Sequence, residues 1–325
     1  MIKVGIVGAA GYTGGEMLRI LLRHPQAHIQ YALSSSNHGN PVYQVHQDLV
    51  GETDLVFAKE MNADVDVVFL CMGHGDSVKF LQQHTFAATT KIIDLSQDFR
   101  LKVNAVLGDR TFVYGLPELN KASIIEAQNI ANPGCFATAL QLGLLPLYQH
   151  GYAGSVFTTG ITGATGAGQK LAESSHFAWR ANNIQAYKSL SHQHLLEVNE
   201  SLQQVGNITN KAAINFIPWR GDFPRGIFIS SQVTTDLSLE TLYDLYETFY
   251  ANQPFTTVVR TPIHMKQVVN TNKCLIQIEQ HEGQTVIHSC IDNLLKGASG
   301  QAVQNMNLMF GLDEKMGIDL KANYF

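Results

Sequence analysis

The first fourteen residues restrict the fold more than any other stretch. Ile2-Lys-Val-Gly-Ile-Val7 is a short apolar run, the pattern of a strand buried on both faces. It enters Gly8-Ala-Ala-Gly11-Tyr12-Thr13-Gly14, after which Met17, Leu18, Leu21 and Leu22 recur at helical spacing up to Pro25. A strand, a glycine turn and a helix, in that order, open a nucleotide-binding βαβ unit. Gly8 permits the tight turn, Gly11 lets backbone approach a pyrophosphate, and Gly14 lets the helix pack on the strand. Tyr12 and Thr13 belong to the same turn and join the candidate cofactor contacts. The spacing is GxxGxxG, which favours a nucleotide without choosing between cofactors.

The next segments repeat the plan. His28-Ile-Gln-Tyr-Ala-Leu33 reads as a second strand ending in Ser34-Ser35-Ser36-Asn37. An NAD site usually carries an acidic residue there for the ribose hydroxyls; three hydroxyls in its place favour NADP over a plain serine-rich turn. Val65–Met72 is a third strand leading to Gly73-His74-Gly75, and Lys91–Ser96 a fourth leading to Gln97-Asp98-Phe99-Arg100. Arg100 at a strand exit suits bidentate recognition of phosphate or carboxylate, with a surface arginine as the plain alternative.

With 325 residues the chain is too long for one ordinary core, so two domains are expected. Its 45% hydrophobic and 15% charged composition is that of a globular enzyme. A net charge of −5 argues against nucleic-acid binding. No apolar run approaches the roughly 18 residues of a membrane span. Met1-Ile-Lys-Val-Gly enters a strand with no leader pattern, and Cys71, Cys135, Cys274 and Cys290 show no CxxC spacing. Reduced thiols in a cytoplasmic protein are expected.

Asn132-Pro133-Gly134-Cys135 carries the chemistry. Pro133 and Gly134 punctuate the backbone, and Phe136–Leu145 reads as a buried helix, which puts Cys135 in its first turn. Unpaired N–H groups and the helix dipole favour an anion there, so the thiol becomes a candidate nucleophile. The alternative is a small buried hydrophobe. After Gly151 the strand–helix alternation loosens. Gly160-Ile-Thr-Gly163-Ala-Thr-Gly166-Ala-Gly168 makes a loop able to line a nicotinamide or substrate site, with Gly163 as its candidate contact. His192-Gln193-His194-Leu195-Leu196-Glu197 opens a helix in which His194 and Glu197 face the same way, so that the carboxylate orients the imidazole. His192 and His194 are both candidates to partner the cysteine. No ligand cluster supports a metal.

Arg220 and Arg225 sit in a turn rich in proline and glycine between two strands, as candidates for anion binding or subunit contacts. Cys274–Glu279 and Thr285–Cys290 form a hairpin, and Gln301–Phe310 a closing helix.

Taken together, GAAGYTG, IIDLSQDFR, YGLPEL, NPGCFAT, the HQH segment and DNLLKGASGQAVQNMNLM resemble the N-acetyl-gamma-glutamyl-phosphate reductase family of arginine biosynthesis, related to aspartate-semialdehyde dehydrogenases. The resemblance runs nearly end to end. It implies an α/β fold: a Rossmann-type doubly wound nucleotide-binding domain, residues 1–134 plus 298–325, and a second α/β (α+β) substrate and dimerisation domain, residues 135–297. It implies NADPH-dependent reduction of an acyl phosphate through Cys135, with His194 or His192 and Glu197 on the family's HxHTPE motif. Arg100 falls on a substrate-binding arginine. Gly8, Gly11, Gly14, Ser34, Ser35, Ser36 and Asn293 fall on NADP contacts. A homo-oligomer, dimer or tetramer, is implied. Leu195-Leu196 departs from the family's Thr-Pro, the Gly163–Gly168 loop is longer than the commoner family loop, and Ser175–Arg180 resembles only a subgroup. N-acetyl is the default acyl group, with N-succinyl, or another semialdehyde dehydrogenase such as aspartate-semialdehyde dehydrogenase, as the alternative.

Overall fold

A computed structural model describes residues 1–324 of the chain. The chain divides into two compact units, Met1–Gly134 with Ala298–Asp319, and Cys135–Gly297 with residues 320–324. The expected first domain, residues 1–134 plus 298–325, differs from this at its end. Residues 320–324 lie with the second instead, because the Asn323 N–H donates to the Val269 carbonyl at 3.1 Å.

The first unit is built on an eight-stranded sheet: β1 (Ile2–Val7), β2 (Ala27–Leu33), β3 (Phe57–Ala58), β4 (Val67–Leu70), β5 (Lys91–Asp94), β6 (Val106–Leu107), β7 (Arg110–Tyr114) and β8 (Asn129–Ala131). The spatial order is β3-β2-β1-β4-β5-β8-β7-β6, parallel except for the β6–β7 pair. Strands of a parallel sheet are covered on both faces, which is why β4 is Val-Val-Phe-Leu with every residue buried. Three helices follow strands: α1 (Tyr12–Leu21), α2 (Asp76–Gln83) and α3 (Pro117–Glu126). The closing helix, Ser299–Met309, packs against α1 and α3. Strand order reverses between β1 and β4, so the carboxyl ends of these two strands frame the ligand crevice of an open sheet.

The second unit turns around α4 (Cys135–Gln149), a helix buried along nearly its whole length. Its mixed sheet contains β9 (Val156–Thr162), β10 (Gln185–Ala186), β11 (Ile214–Arg220), β12 (Ile227–Thr234), β13 (Thr256–Val258), β14 (Cys274–His281) and β15 (Gln284–Ile291), in the order β10-β11-β9-β12-β15-β14-β13. The expected hairpin at 274–291 is β14–β15. β11 and β12 are not neighbours; they flank β9, parallel and antiparallel to it. Besides the single turn α5 (Phe177–Arg180), helices α6 (His194–Gly206) and α7 (Leu239–Tyr250) pack on α4.

Pro146 lies inside α4 and has no N–H to give the Leu142 carbonyl. The Tyr250 hydroxyl donates to that carbonyl at 2.5 Å, and the Tyr246 hydroxyl to the adjacent Gly143 carbonyl at 2.7 Å. A buried polar group orphaned by proline is thus satisfied from α7. No helix among the described residues is long and apolar enough to cross a membrane.

Candidate active site

In the first unit, the glycine turn separates into positions that packing requires and one that it does not. Gly8 has φ +78°, and a Cβ there would lie 2.5 Å from the Cys71 carbonyl oxygen. A Cβ on Gly14 would lie 2.6 Å from Ala9 Cα. At Gly11 the nearest atom would be 3.5 Å away, an ordinary contact. Nothing inside the protein demands glycine at 11, so close approach of a ligand from outside is the reason that fits. Gly11 is also the N-cap of α1, with no side-chain cap and no acidic residue in the first turn. Those first N–H groups are open to an anion, and the site fits a dinucleotide pyrophosphate.

Around this turn, Tyr12 is exposed, while the Thr13 carbonyl accepts from Ser299 Oγ at 2.9 Å. Burial pushes the neighbouring Cys71 thiol up to about 12, against a smaller opposite pull from its hydrogen bond with Thr13. Ser34 is buried, with Oγ accepting the Asn37 N–H at 3.3 Å; Ser35 and Ser36 remain exposed.

The exit of β5 is more tightly built than the sequence suggests. Asp94 is fully buried and accepts from Ser77 Oγ at 2.6 Å, Ser96 Oγ at 2.7 Å and the Ser96 N–H at 3.1 Å. Burial pushes its carboxyl up to about 6, with these hydrogen bonds and Arg100 pulling the other way. Arg100 is buried too. Its Nε donates to the Asn132 carbonyl and its Nη2 to the Leu95 carbonyl, both at 2.8 Å. It therefore fastens the strand exit to Asn132, three residues before the cysteine. Asn132 is held further by the Ala298 carbonyl at 3.1 Å and Asn305 Nδ2 at 3.2 Å. The His74 ring accepts the Gln97 N–H at 3.2 Å, which makes it a loop anchor.

In the second unit, Cys135 is the first residue of α4, half-buried, with no acidic residue in the helix's first turn. A Cβ on Gly297 would lie 2.7 Å from the Cys135 Cβ, so glycine at 297 makes room for the cysteine. Phe136 packs edge-on against His192 at 5.5 Å and Phe216 at 5.1 Å between ring centroids. His192 also meets Tyr187 at 5.8 Å and His194 at 4.6 Å. Burial holds the His192 imidazole down to about 4, with Lys188 and Arg220 adding to the effect. It is neutral near pH 7, and its Nδ1 accepts the His194 N–H at 3.3 Å. His192 lies ahead of α6, not in it; Lys188 and Leu190 take left-handed φ of +47° and +59° on the way in.

His194 opens α6, with Nε2 4.0 Å from Glu197 Oε1, and both side chains are buried. The two histidines therefore differ electrically: one is boxed by rings and cations, the other faces a carboxylate. Tyr187 lies close enough to Cys135 to feel its charge. Burial pushes its phenol up to about 12, Cys135 adds to this, and Arg220 opposes it. The Arg220 guanidinium sits over the Tyr187 ring, 4.7 Å from its centroid.

The remaining expected contacts are loop ties. The Gly163 N–H donates to the Gly226 carbonyl at 2.9 Å, and a Cβ there would lie 2.4 Å from the Pro224 carbonyl oxygen. Asn293 Nδ2 donates to Thr165 Oγ1 at 3.0 Å, and its Oδ1 accepts the Gly226 N–H at 2.8 Å. Arg225 Nε and Nη2 donate to the two oxygens of the fully buried Asp292 at 3.0 and 3.2 Å. Asp292 also receives the N–H groups of Asn270, Leu294 and Leu295.

Residues 3–127 match the family description "Semialdehyde dehydrogenase, NAD binding domain", and residues 135–293 match "Semialdehyde dehydrogenase, dimerisation domain". The N-acetyl-gamma-glutamyl-phosphate reductase of Flavobacterium johnsoniae is 53% identical over 326 residues, covering all of both chains. That of Christiangramia forsetii is 51% identical over the same span. The chain belongs to the N-acetyl-gamma-glutamyl-phosphate reductase family. Solved semialdehyde dehydrogenases share the fold at lower identity. Aspartate semialdehyde dehydrogenase II of Vibrio cholerae superposes with a TM-score of 0.72 at 19% identity, covering 96% of this chain and 98% of that one. The Candida albicans aspartate semialdehyde dehydrogenase with NADP gives 0.71 at 15%, covering 95% and 98%. Within the reductase family, the glycine turn of this chain lies in the dinucleotide-binding domain, and Cys135 is the first residue of the other match.

Proposed function

We propose that the chain reduces N-acetyl-gamma-glutamyl phosphate to N-acetyl-glutamate semialdehyde with release of phosphate, a step of arginine biosynthesis, using NADPH. The observation that carries this reading is a half-buried thiol on the first residue of α4, with no acid in the helix's first turn, in a helix packed against α6, whose first residue His194 faces Glu197. The thiolate of Cys135 attacks the acyl carbon, the carbon–oxygen bond to phosphate breaks, and a thioester forms. His194 takes the thiol proton and passes it to the departing phosphate; Glu197 orients the imidazole and steadies its charged form. Backbone N–H groups at the start of α4 hold the tetrahedral oxyanion. NADPH, which Gly8, Gly11, Gly14 and the first turn of α1 would hold, would supply the hydride. The resulting hemithioacetal collapses to aldehyde, and Cys135 leaves as thiolate and recovers a proton. His192, neutral near pH 7, positions His194 through the backbone. Arg100 and Arg225 act by holding loops: Arg100 the approach to Cys135, Arg225 the buried Asp292.

NADP in preference to NAD rests on the serine turn after β2, where no acid stands and Ser35 and Ser36 face outward. The first unit holds the dinucleotide at Gly8, Gly11, Gly14 and the first turn of α1. The second carries the thiol chemistry, with Gly163 and Asn293 shaping the loops around it. The outer face of its sheet exposes Phe157 beside half-buried Ile161, Ile217, Trp219 and Phe228, and we take this face to join two copies. Four free cysteines fit a reducing, cytoplasmic setting.

The phosphate-dependent reverse reaction tests the reading. N-acetylglutamate semialdehyde, N-succinylglutamate semialdehyde and aspartate semialdehyde are compared, each with NADP and NAD. The N-acetyl aldehyde with NADP is expected to give the highest kcat/KM. A preference for aspartate semialdehyde would overturn the assignment, and preference for the N-succinyl aldehyde would move it to that substrate.

A further inference from the structure

Buried Arg180 and half-buried Arg220 form a cationic pair that the proposed chemistry leaves without a task. Arg220 is the last residue of β11, four positions after Phe216, so strand alternation puts both side chains on one face. Phe216 is the residue that packs on Phe136 and His192, so this is the face turned towards the cysteine helix. Arg220 lies over Tyr187, whose ring touches His192 and lies within electrostatic reach of Cys135. One tyrosine ring thus separates this guanidinium from the neighbourhood of the sulfur.

Arg180 backs it from α5. Its Nη1 donates to the Arg220 carbonyl at 3.1 Å and its Nε to the Ser174 carbonyl at 3.2 Å, and it is only 7% exposed. Arg180 Nη2 and Arg220 Nε are both buried with no hydrogen-bond partner. The two guanidiniums also repel, and burial together with Arg220 pulls Arg180 below its ordinary range, Asp222 only partly offsetting this. Lys188 adds a third positive charge near His192. Asp222, the nearby carboxylate, is exposed and accepts the Asn182 N–H at 2.5 Å.

Burying two N–H groups of charged forks without acceptors is costly, and the cost is recovered when an anion arrives. A planar fork matches a carboxylate. We propose that Arg220, backed by Arg180, is the receptor for a carboxylate of the substrate. This rests on the acyl-phosphate reading above and assigns it a specificity residue. The substrate offers the α-carboxylate of its glutamyl group; a dicarboxylic N-acyl group would offer a second.

Arg220→Met and Arg220→Lys are tested in the reverse direction with phosphate and NADP on N-acetylglutamate semialdehyde, N-succinylglutamate semialdehyde and the decarboxylated analogue N-acetyl-4-aminobutanal. Arg220→Met is expected to raise KM roughly 10- to 100-fold for a carboxylated aldehyde with kcat little changed. Lysine is expected to restore part of the loss, and the decarboxylated aldehyde to be used equally by both. Equal losses on the two carboxylated aldehydes assign the α-carboxylate; a loss confined to the N-succinyl aldehyde assigns the acyl carboxylate. Unchanged KM on both, or an equal loss on the decarboxylated analogue, overturns the proposal.

Binding is read separately from turnover, as protection of Cys135 from iodoacetamide by N-acetylglutamate and N-succinylglutamate. Protection in wild type that disappears in Arg220→Met supports the receptor even if the reaction assigned above were wrong. Equal protection in both proteins contradicts it, whatever the reaction. Matched melting midpoints and NADPH binding show that the variants are folded.

Discussion

The glycine turn of the first unit and the ring-and-cation cluster of the second are built on different terms. The turn works through backbone: its shape follows from which positions lack a Cβ, and the two crowded glycines fix the path that leaves Gly11 open. The cluster works through side chains drawn from α4, α6, the loop before it and β11, which are far apart in the chain. A backbone device tolerates almost no change at two positions. The side-chain device is divided by charge, and His192, held down by burial, gives it a pH dependence of its own.

The largest expected effect falls on the second unit. Cys135→Ser should lower kcat by more than about 10³-fold while leaving dinucleotide affinity unchanged, because the turn is a separate device. A near-normal rate would dissolve the distinction. Next come the glycines. Gly8→Ala should cost about 3 kcal/mol of stability, since its Cβ meets the Cys71 carbonyl at a left-handed φ. Gly11→Ala should melt within about 0.5 kcal/mol of wild type yet bind NADPH on the order of tenfold more weakly. Equal stability losses at 8 and 11, measured by urea titration, would contradict the division between packing and approach.

His192 gives a comparable effect that depends on pH. Its folded pKa is depressed to about 4 against an ordinary 6.5. Between these values the unfolded chain takes up the proton and the folded chain does not. Stability is therefore full above about 6.5 and falls by about 3 kcal/mol as pH drops towards 4. His192→Gln, which keeps an acceptor for the His194 N–H, should flatten that part of the stability profile. A profile unchanged by the substitution would show that other groups set it. A smaller loss of stability than at Gly8 or His192 lies deep in the second unit. Tyr250→Phe orphans the Leu142 carbonyl and should cost about 1.5 kcal/mol. Pro146→Ala in that background supplies an N–H and should recover part of it. Strictly additive effects in this double-mutant cycle would deny the coupling.

The same contrast explains what could be read from the sequence. The strand, glycine turn and helix were legible because each maps a local backbone need onto one residue type; β1 is observed at Ile2–Val7 as expected. Cys135 was legible as the start of a helix for the same reason. Arg220 and Arg225 could not be told apart in sequence, being five residues apart around one turn. Register settles their surroundings: Arg220 shares a face with Phe216, while Arg225 lies past the strand end and grips Asp292. Asp94 was missed, although the Asp-Leu-Ser pattern at the end of a buried strand was its signal. The tie from Tyr250 to the carbonyl left by Pro146 spans 108 residues, and no local pattern announces it.

The reactivity of one sulfur is the claim on which the chemistry turns. The protein is mixed with N-acetyl-gamma-glutamyl phosphate without NADPH, quenched in acid, and its cysteine peptides weighed by mass spectrometry. An N-acetylglutamyl thioester on Cys135 alone, formed together with one equivalent of phosphate, is the predicted result. Acylation of Cys71, Cys274 or Cys290 in its place, or phosphate release with no thioester on any cysteine, would contradict the account.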